Sequence, residues 1–185
     1  MPEADNPLSR DLVDRIQAGD REAFEVVFRA YYAKLADYAN GMVRSRDGAD
    51  DVVQEVFVAL WTQRNRLSSP DNLVGYLYRA VRNRSLNQIR RHRMVADWET
   101  KQAIAEPQVA PPADRETERA EIAEAIRRAV ATLSPRCREV FELSRDQGLT
   151  YPEIAATLGI SIKTVETLMG RALKGIRERL ATFRA

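Results

Sequence analysis

From Phe24 to Met42 the large side chains fall at three- and four-residue steps: Phe24, Val27, Phe28, Tyr31, Leu35, Tyr38 and Met42. That spacing gathers them on one side of an α-helix. A helix is therefore predicted over 21–43, with Asp20 placed to accept the free N–H groups of its first turn. The same period recurs in "DDVVQEVFVALW", where Val53, Val56, Phe57 and Leu60 form the apolar stripe of a helix predicted over 48–63. A short helix over 8–18, ending before Gly19, precedes both. "RNRLSSPDN" (64–72) is a polar loop, and its Ser69-Pro70 reads as a cap and first helical residue opening a fourth helix over 70–94.

The pattern then breaks. "VADWETKQAIAEPQVAPPAD" (95–114) has three prolines, small residues and scattered acids, the composition of a linker. Helix resumes over 115–132. Ser134-Pro135 open the next helix, which Gly148 stops, and Thr150 with Glu153 form a capping box for a short helix ending at Gly159. Ser161 caps a last helix over 162–181. The fold class is all-α: two small helical domains, 1–94 and 115–185, joined by a flexible linker, 95–114.

Composition narrows the chemistry. The 185 residues are 44% hydrophobic and 30% charged, enough for real cores and for solubility. The one cysteine, Cys137, excludes an internal disulfide and a multi-cysteine metal cluster. No apolar run suits a signal peptide or a membrane span, so a cytoplasmic protein without membrane insertion is expected. No P-loop, dinucleotide fingerprint or HExxH is present, and the single histidine, His92, lies among arginines. No catalytic activity, cofactor or metal is expected.

Charge is unevenly placed. The formal net charge is only +2, yet "RAVRNRSLNQIRRHR" (79–93) holds 6 basic groups and no acid. Residues 1–78 carry 9 basic and 13 acidic groups, 94–133 carry 5 and 8, and 134–185 carry 9 and 6. A run of arginines without interleaved acids on a helix has the footprint of a phosphate-binding surface. The six cannot share one face: Arg79, Arg82, Arg90 and Arg93 cluster more closely than Arg84 and Arg91. Some are therefore expected to be solvated or paired with acids of the N-terminal half.

"TYPEIAATLGISIKTVETLMGRALK" (150–174) has the grammar of a helix-turn-helix. Ala155 is small where the second helix crosses, Gly159 supplies a turn with positive φ, and Val165 buries against the first helix. Val165, Leu168, Ala172, Ile176 and Leu180 are predicted to point inward, with Ile154, Leu158 and Ile160 filling the rest of the core. Lys163, Glu166, Thr167, Gly170, Arg171 and Lys174 are predicted to point outward, toward phosphates or base edges. Glu166 suits a cytosine amino group, or it orients a neighbouring basic side chain.

Taken together, "DDVVQEVFVALW", "GYLYRAVRNRSLNQIRRHR" and "LSPRCREVFELSRDQGLTYPEIAATLGISIKTVETLMGRALKGIRERL" resemble, in that order and spacing, the extracytoplasmic-function class of bacterial sigma factors. The likeness runs from about residue 20 to 181. It implies a promoter-specificity subunit: region 2 at the N-terminus, helix-turn-helix region 4 at the C-terminus. Tyr76 stands where the family usually has Trp. Lys163, Glu166 and Leu168 stand where many members have Gly, Lys and Arg.

The resemblance also implies partners. Asp51, Gln54 and Glu55 match the positions that dock on the clamp helices of the largest subunit of core RNA polymerase. Region 4 would meet the flap of the second-largest subunit. Tyr78, Arg79, Arg82, Asn83, Arg90, Arg91 and Arg93 would meet promoter DNA around the minus-ten element, Tyr78 and Asn83 beside a captured base. Tyr76 and Leu77 are expected in the core. Lys163, Thr164, Glu166, Thr167, Arg171 and Lys174 would meet the minus-thirty-five element. An anti-sigma factor is an expected partner. The linker would span roughly 55 Å between elements about 16–17 base pairs apart, and either passes along a basic channel of the polymerase or merely tethers. The competing readings are a stand-alone helix-turn-helix regulator of the LuxR type and a helical adaptor that binds only proteins.

Overall fold

The structure, a computed structural model, describes residues 10–67, 72–99 and 118–183. Among them are eight α-helices, one short 3-10 turn and no strand. The chain divides into two compact units, the first made of residues 1–98 with 156–159 and the second of 99–155 with 160–185.

The first unit is built on α1 (Arg10–Gln17), α2 (Arg21–Val43), α3 (Arg46–Thr62) and α4 (Leu73–Glu99). Its core takes Val13 and Ile16 from α1, Val27 and Leu35 from α2, Val53, Val56 and Leu60 from α3, and Leu77, Tyr78 and Val81 from α4. Each such side chain contributes about 1.5–3 kcal/mol by leaving water. Aromatic rings join α2 to α3: Phe28 meets Phe57 at 4.9 Å and Phe24 meets Trp61 at 5.1 Å, both edge-on. Arg64, in the 3-10 turn after α3, lies 4.7 Å over the Trp61 ring and donates to the Trp61 carbonyl at 2.8 Å. Gln17 Nε2 donates to the Leu67 carbonyl at 2.8 Å, tying the following loop back to α1.

Capping sets most boundaries. Asp20 opens α2 as expected, accepting from the N–H groups of Glu22 and Ala23. Ser45 opens α3 through the Gly48 N–H. α4 differs from the prediction at both ends. Its first turn is held by Asn72, whose Oδ1 accepts from the Gly75 N–H at 3.0 Å, so it begins at Leu73; Ser69 and Pro70 lie outside the described residues. It continues to Glu99 rather than stopping at 94, because no glycine or proline interrupts the chain before Pro107.

The second unit contains α5 (Glu118–Ala131), α6 (Pro135–Arg145), α7 (Tyr151–Leu158) and α8 (Ile162–Phe183). α5 and α6 both pack on α8. Ala125, Ala129, Val140, Leu143, Val165, Met169 and Ala172 are buried, as is Cys137. Ser134 occupies the cap position before Pro135, but its hydroxyl makes no capping bond. Arg138 instead ties α6 to the end of α5, donating to the carbonyls of Val130 and Ala131. No helix among the described residues is long and apolar enough to cross a membrane.

Candidate nucleic-acid interface

On α4 the inward positions are Val74, Leu77, Tyr78, Val81 and Ser85, all buried. Their phase dictates what faces out. Tyr76, Arg79, Asn83, Asn87 and Arg90 are exposed, at steps of three and four. Arg90 donates to Asn87 Oδ1 at 3.3 Å. Arg82 is half-buried at the edge of this stripe. Arg93 lies on the backbone of α4, but its side chain is outside the described residues. The stripe thus offers one aromatic ring, two amides and a line of guanidinium groups, the elements of a surface that binds phosphates and stacks a base.

Two expectations are corrected here. Tyr78 was expected beside a captured base; it is fully buried, its ring 5.3 Å from that of Tyr38. Tyr76 was expected in the core; it is 38% exposed. The interchange follows from helix geometry, since residues two apart point roughly 200° apart. Tyr76 and Asn87 were missed as surface candidates, although the apolar phase Val74, Leu77, Val81 already placed them outside.

On α3, Val52, Val53, Val56, Phe57 and Leu60 are buried, while Asp51, Gln54 and Glu55 are exposed. These three lie on the rims of two hollows. A polar groove of about 380 Å³ has Asp51, Val52 and Glu55 on one wall and Arg84, Asn87, Gln88, Arg91 and His92 on the other. Across it Arg84 Nε approaches Glu55 Oε2 at 3.5 Å. The division of the arginines is therefore real: Arg79 and Arg90 face outward, and Arg84 and Arg91, seven residues apart on one face, overlook the acids of α3. An apolar hollow of about 540 Å³ lies beside Gln54, lined by Phe24, Phe28, Phe57, Val58 and Trp61. Val58 is 62% exposed there.

The second unit places the other set. The Glu153 carboxylate accepts from both the N–H and the hydroxyl of Thr150 at 2.7 Å, which opens α7. Gly159 turns the chain with φ +66, and the Ile160 N–H returns to the Ala155 carbonyl at 3.0 Å. Ser161 Oγ then accepts from the Thr164 N–H at 3.1 Å and opens α8. Val165, Met169, Ala172 and Ile176 are buried. Leu168 and Leu180, expected inward, are only half-buried, because steps of four, three and four from Val165 select Met169 instead. Lys163, Thr164, Glu166, Thr167, Gly170, Arg171 and Lys174 are exposed. Lys163 pairs with Glu166 at 3.0 Å and Lys174 with Glu178 at 3.9 Å; Arg171 has no acidic partner among the described residues.

Two helical units, one carrying an arginine stripe and the other a helix-turn-helix, offer two surfaces with the chemistry to bind nucleic acid. Residues 27–94 match the family model for sigma-70 region 2, and residues 123–175 that for sigma-70, region 4. The RNA polymerase sigma factor CnrH of Cupriavidus metallidurans is 30% identical over 178 residues, covering 90% of this chain and 92% of its own. The RNA polymerase sigma factor CarQ of Myxococcus xanthus is 26% identical over 172 residues, covering 91% and 95%. The solved structure of CnrH with the cytosolic domain of CnrY superposes with a TM-score of 0.63 at 27% identity, covering 95% of this chain and 98% of that one.

The chain belongs to the sigma-70 family, among its ECF RNA polymerase sigma factors. It works with core RNA polymerase and promoter DNA to direct transcription, and it is a non-enzymatic initiation factor.

Proposed function

We propose that the first unit docks on the clamp helices of the polymerase's largest subunit through Asp51, Gln54 and Glu55. α4 then meets the minus-ten element with Arg79, Arg82, Asn83 and Arg90. In this reading Arg91 serves the α3 groove as much as DNA, and Arg93 is a further DNA contact from the same helix. Tyr76 takes the stacking role beside Asn83, since Tyr78 is in the core. α8 reads the minus-thirty-five element with Lys163, Thr164, Glu166, Thr167, Arg171 and Lys174, while its unit rests on the flap of the second-largest subunit. Residues 1–94 and 115–185 act as region 2 and region 4, and the segment between them is the linker. The protein acts in the cytoplasm, and a partner of the kind that CnrY is for CnrH holds it in reserve.

The observation that carries this reading is the outward stripe of α4, which joins an aromatic ring, amides and guanidinium groups without one acid from residue 79 to 93. Acids cluster instead on α3, a face complementary to a basic helical partner. The test separates the two faces. The double variant Asp51→Ala with Glu55→Ala is expected to lower affinity for core polymerase about tenfold at an unchanged melting temperature. Arg79→Ala with Arg90→Ala is expected to keep that affinity and to lower the salt slope of promoter binding by about two. Equal effects of both variants on polymerase affinity would refute the division.

A further inference from the structure

The first two turns of α8 contain two threonines, a lysine and a glutamate that face outward, and the structure shows which of their polar groups are already spent. Thr164 Oγ1 lies 2.8 Å from Ser161 Oγ, and the two hydroxyls share one hydrogen bond. Thr167 Oγ1 donates to the Lys163 carbonyl at 2.9 Å, the i−4 back-bond common in helices. Glu166 engages only Oε2, with Lys163 Nζ at 3.0 Å. Its Oε1 has no protein partner among the described residues, and the side chain is 47% exposed.

Resting on the reading of α8 as the recognition helix, we infer that Glu166 selects a cytosine in the upstream promoter element. The chemistry of base edges decides this. In the major groove guanine presents N7 and O6, both acceptors, and thymine presents the acceptor O4 beside a methyl group; a carboxylate is repelled by each of those oxygens or nitrogens. Adenine has an amino donor, but its N7 acceptor lies directly beside it. Cytosine has the N4 amino group with a C–H on one side and the paired guanine O6 on the other, one acceptor fewer than flank the adenine amino group. A carboxylate lowered into the groove therefore finds its best partner at cytosine.

The ion pair does not account for the glutamate by itself. An exposed pair of this spacing stabilises a helix only weakly. A negative charge on a helix that approaches phosphates lowers affinity for every sequence. Lys163 offsets that charge and holds Oε2, which leaves Oε1 for the base; it is a positioning residue. With the Thr167 hydroxyl proton bound within the protein and the Thr164 hydroxyl engaged with Ser161, Glu166 Oε1 is left to read a base edge.

The test is selection of a randomised upstream element by core polymerase loaded with the full chain, followed by sequencing. The unaltered protein is expected to enrich cytosine at one position of the element. Glu166→Gln, which both donates and accepts, is expected to admit adenine there and to cut the cytosine preference about tenfold. Glu166→Ala is expected to erase the preference, and Lys163→Ala to weaken binding to all sequences and to blunt the preference without erasing it. If Glu166→Gln and Glu166→Ala select the same motif as the unaltered protein, with only a uniform change in affinity, the inference fails and the recognition-helix reading stands. If the unaltered protein enriches no upstream motif at all, both fail.

Discussion

Tyr76 and Tyr78 show how much one step in phase decides. The ring of Tyr78 fills the centre of the first unit against Tyr38, and the ring of Tyr76 stands at the surface in line with Arg79 and Asn83. Tyr78→Ala is expected to cost about 3–5 kcal/mol of stability, as deletion of a buried ring does. Tyr76→Ala is expected to leave the thermal unfolding curve unchanged and to slow formation of the melted promoter complex. Thermal denaturation beside a time course of permanganate reactivity at the promoter reads both. Residue types in this stretch were legible from the sequence, and so was the arginine cluster. The orientation of the tyrosines was misjudged because they were matched by their place in a motif. The apolar phase Val74, Leu77, Val81 carries the correct answer, as it also does for Met169 over Leu168 on α8.

Among the elements, the caps were the most legible part, since a cap is a local device: one short side chain beside free N–H groups. Asp20, Ser161 and Gly159 act where the sequence places them. The ends of α4 were not legible. Asn72 and Ser69 are equally good caps on paper, and no breaker marks where the helix ends. Asp20 also gives the first unit a defined response to acid. Its carboxylate is held below the ordinary range, first by the Ala23 N–H, then by the Arg15 guanidinium. A lowered carboxylate stabilises the folded state fully above its unfolded pKa, and that contribution is lost as pH falls through the folded value. Asp20→Asn keeps a cap acceptor but loses the charge. Melting temperatures taken from pH 7 downward are expected to converge: the variant lies below the unaltered protein at neutral pH and meets it in acid. Parallel curves at all pH values would assign the effect to the cap geometry alone.

At the scale of the whole molecule, two units carry complementary parts of one task. The arrangement of region 2 before region 4 was legible in three motifs in order, and the family models match the same stretches. The separation of Arg84 and Arg91 from the other arginines was legible in the helical phase, but which acids they overlook was not, because that depends on which side of α4 faces α3. The described helices end at Glu99 and resume at Glu118. A segment of that length, fully extended, reaches about 60 Å. That suffices for promoter elements about 55 Å apart. Joining the units raises the effective concentration of each at its own element once the other is bound. The most direct test is therefore promoter-specific transcription by core polymerase supplied either with the intact chain or with the same chain cut by a protease at a site introduced between residues 100 and 117. Intact protein is expected to initiate at promoters that hold both elements, and the cut protein to lose most of that activity while its first fragment still binds the polymerase. Undiminished initiation after complete cleavage would contradict it.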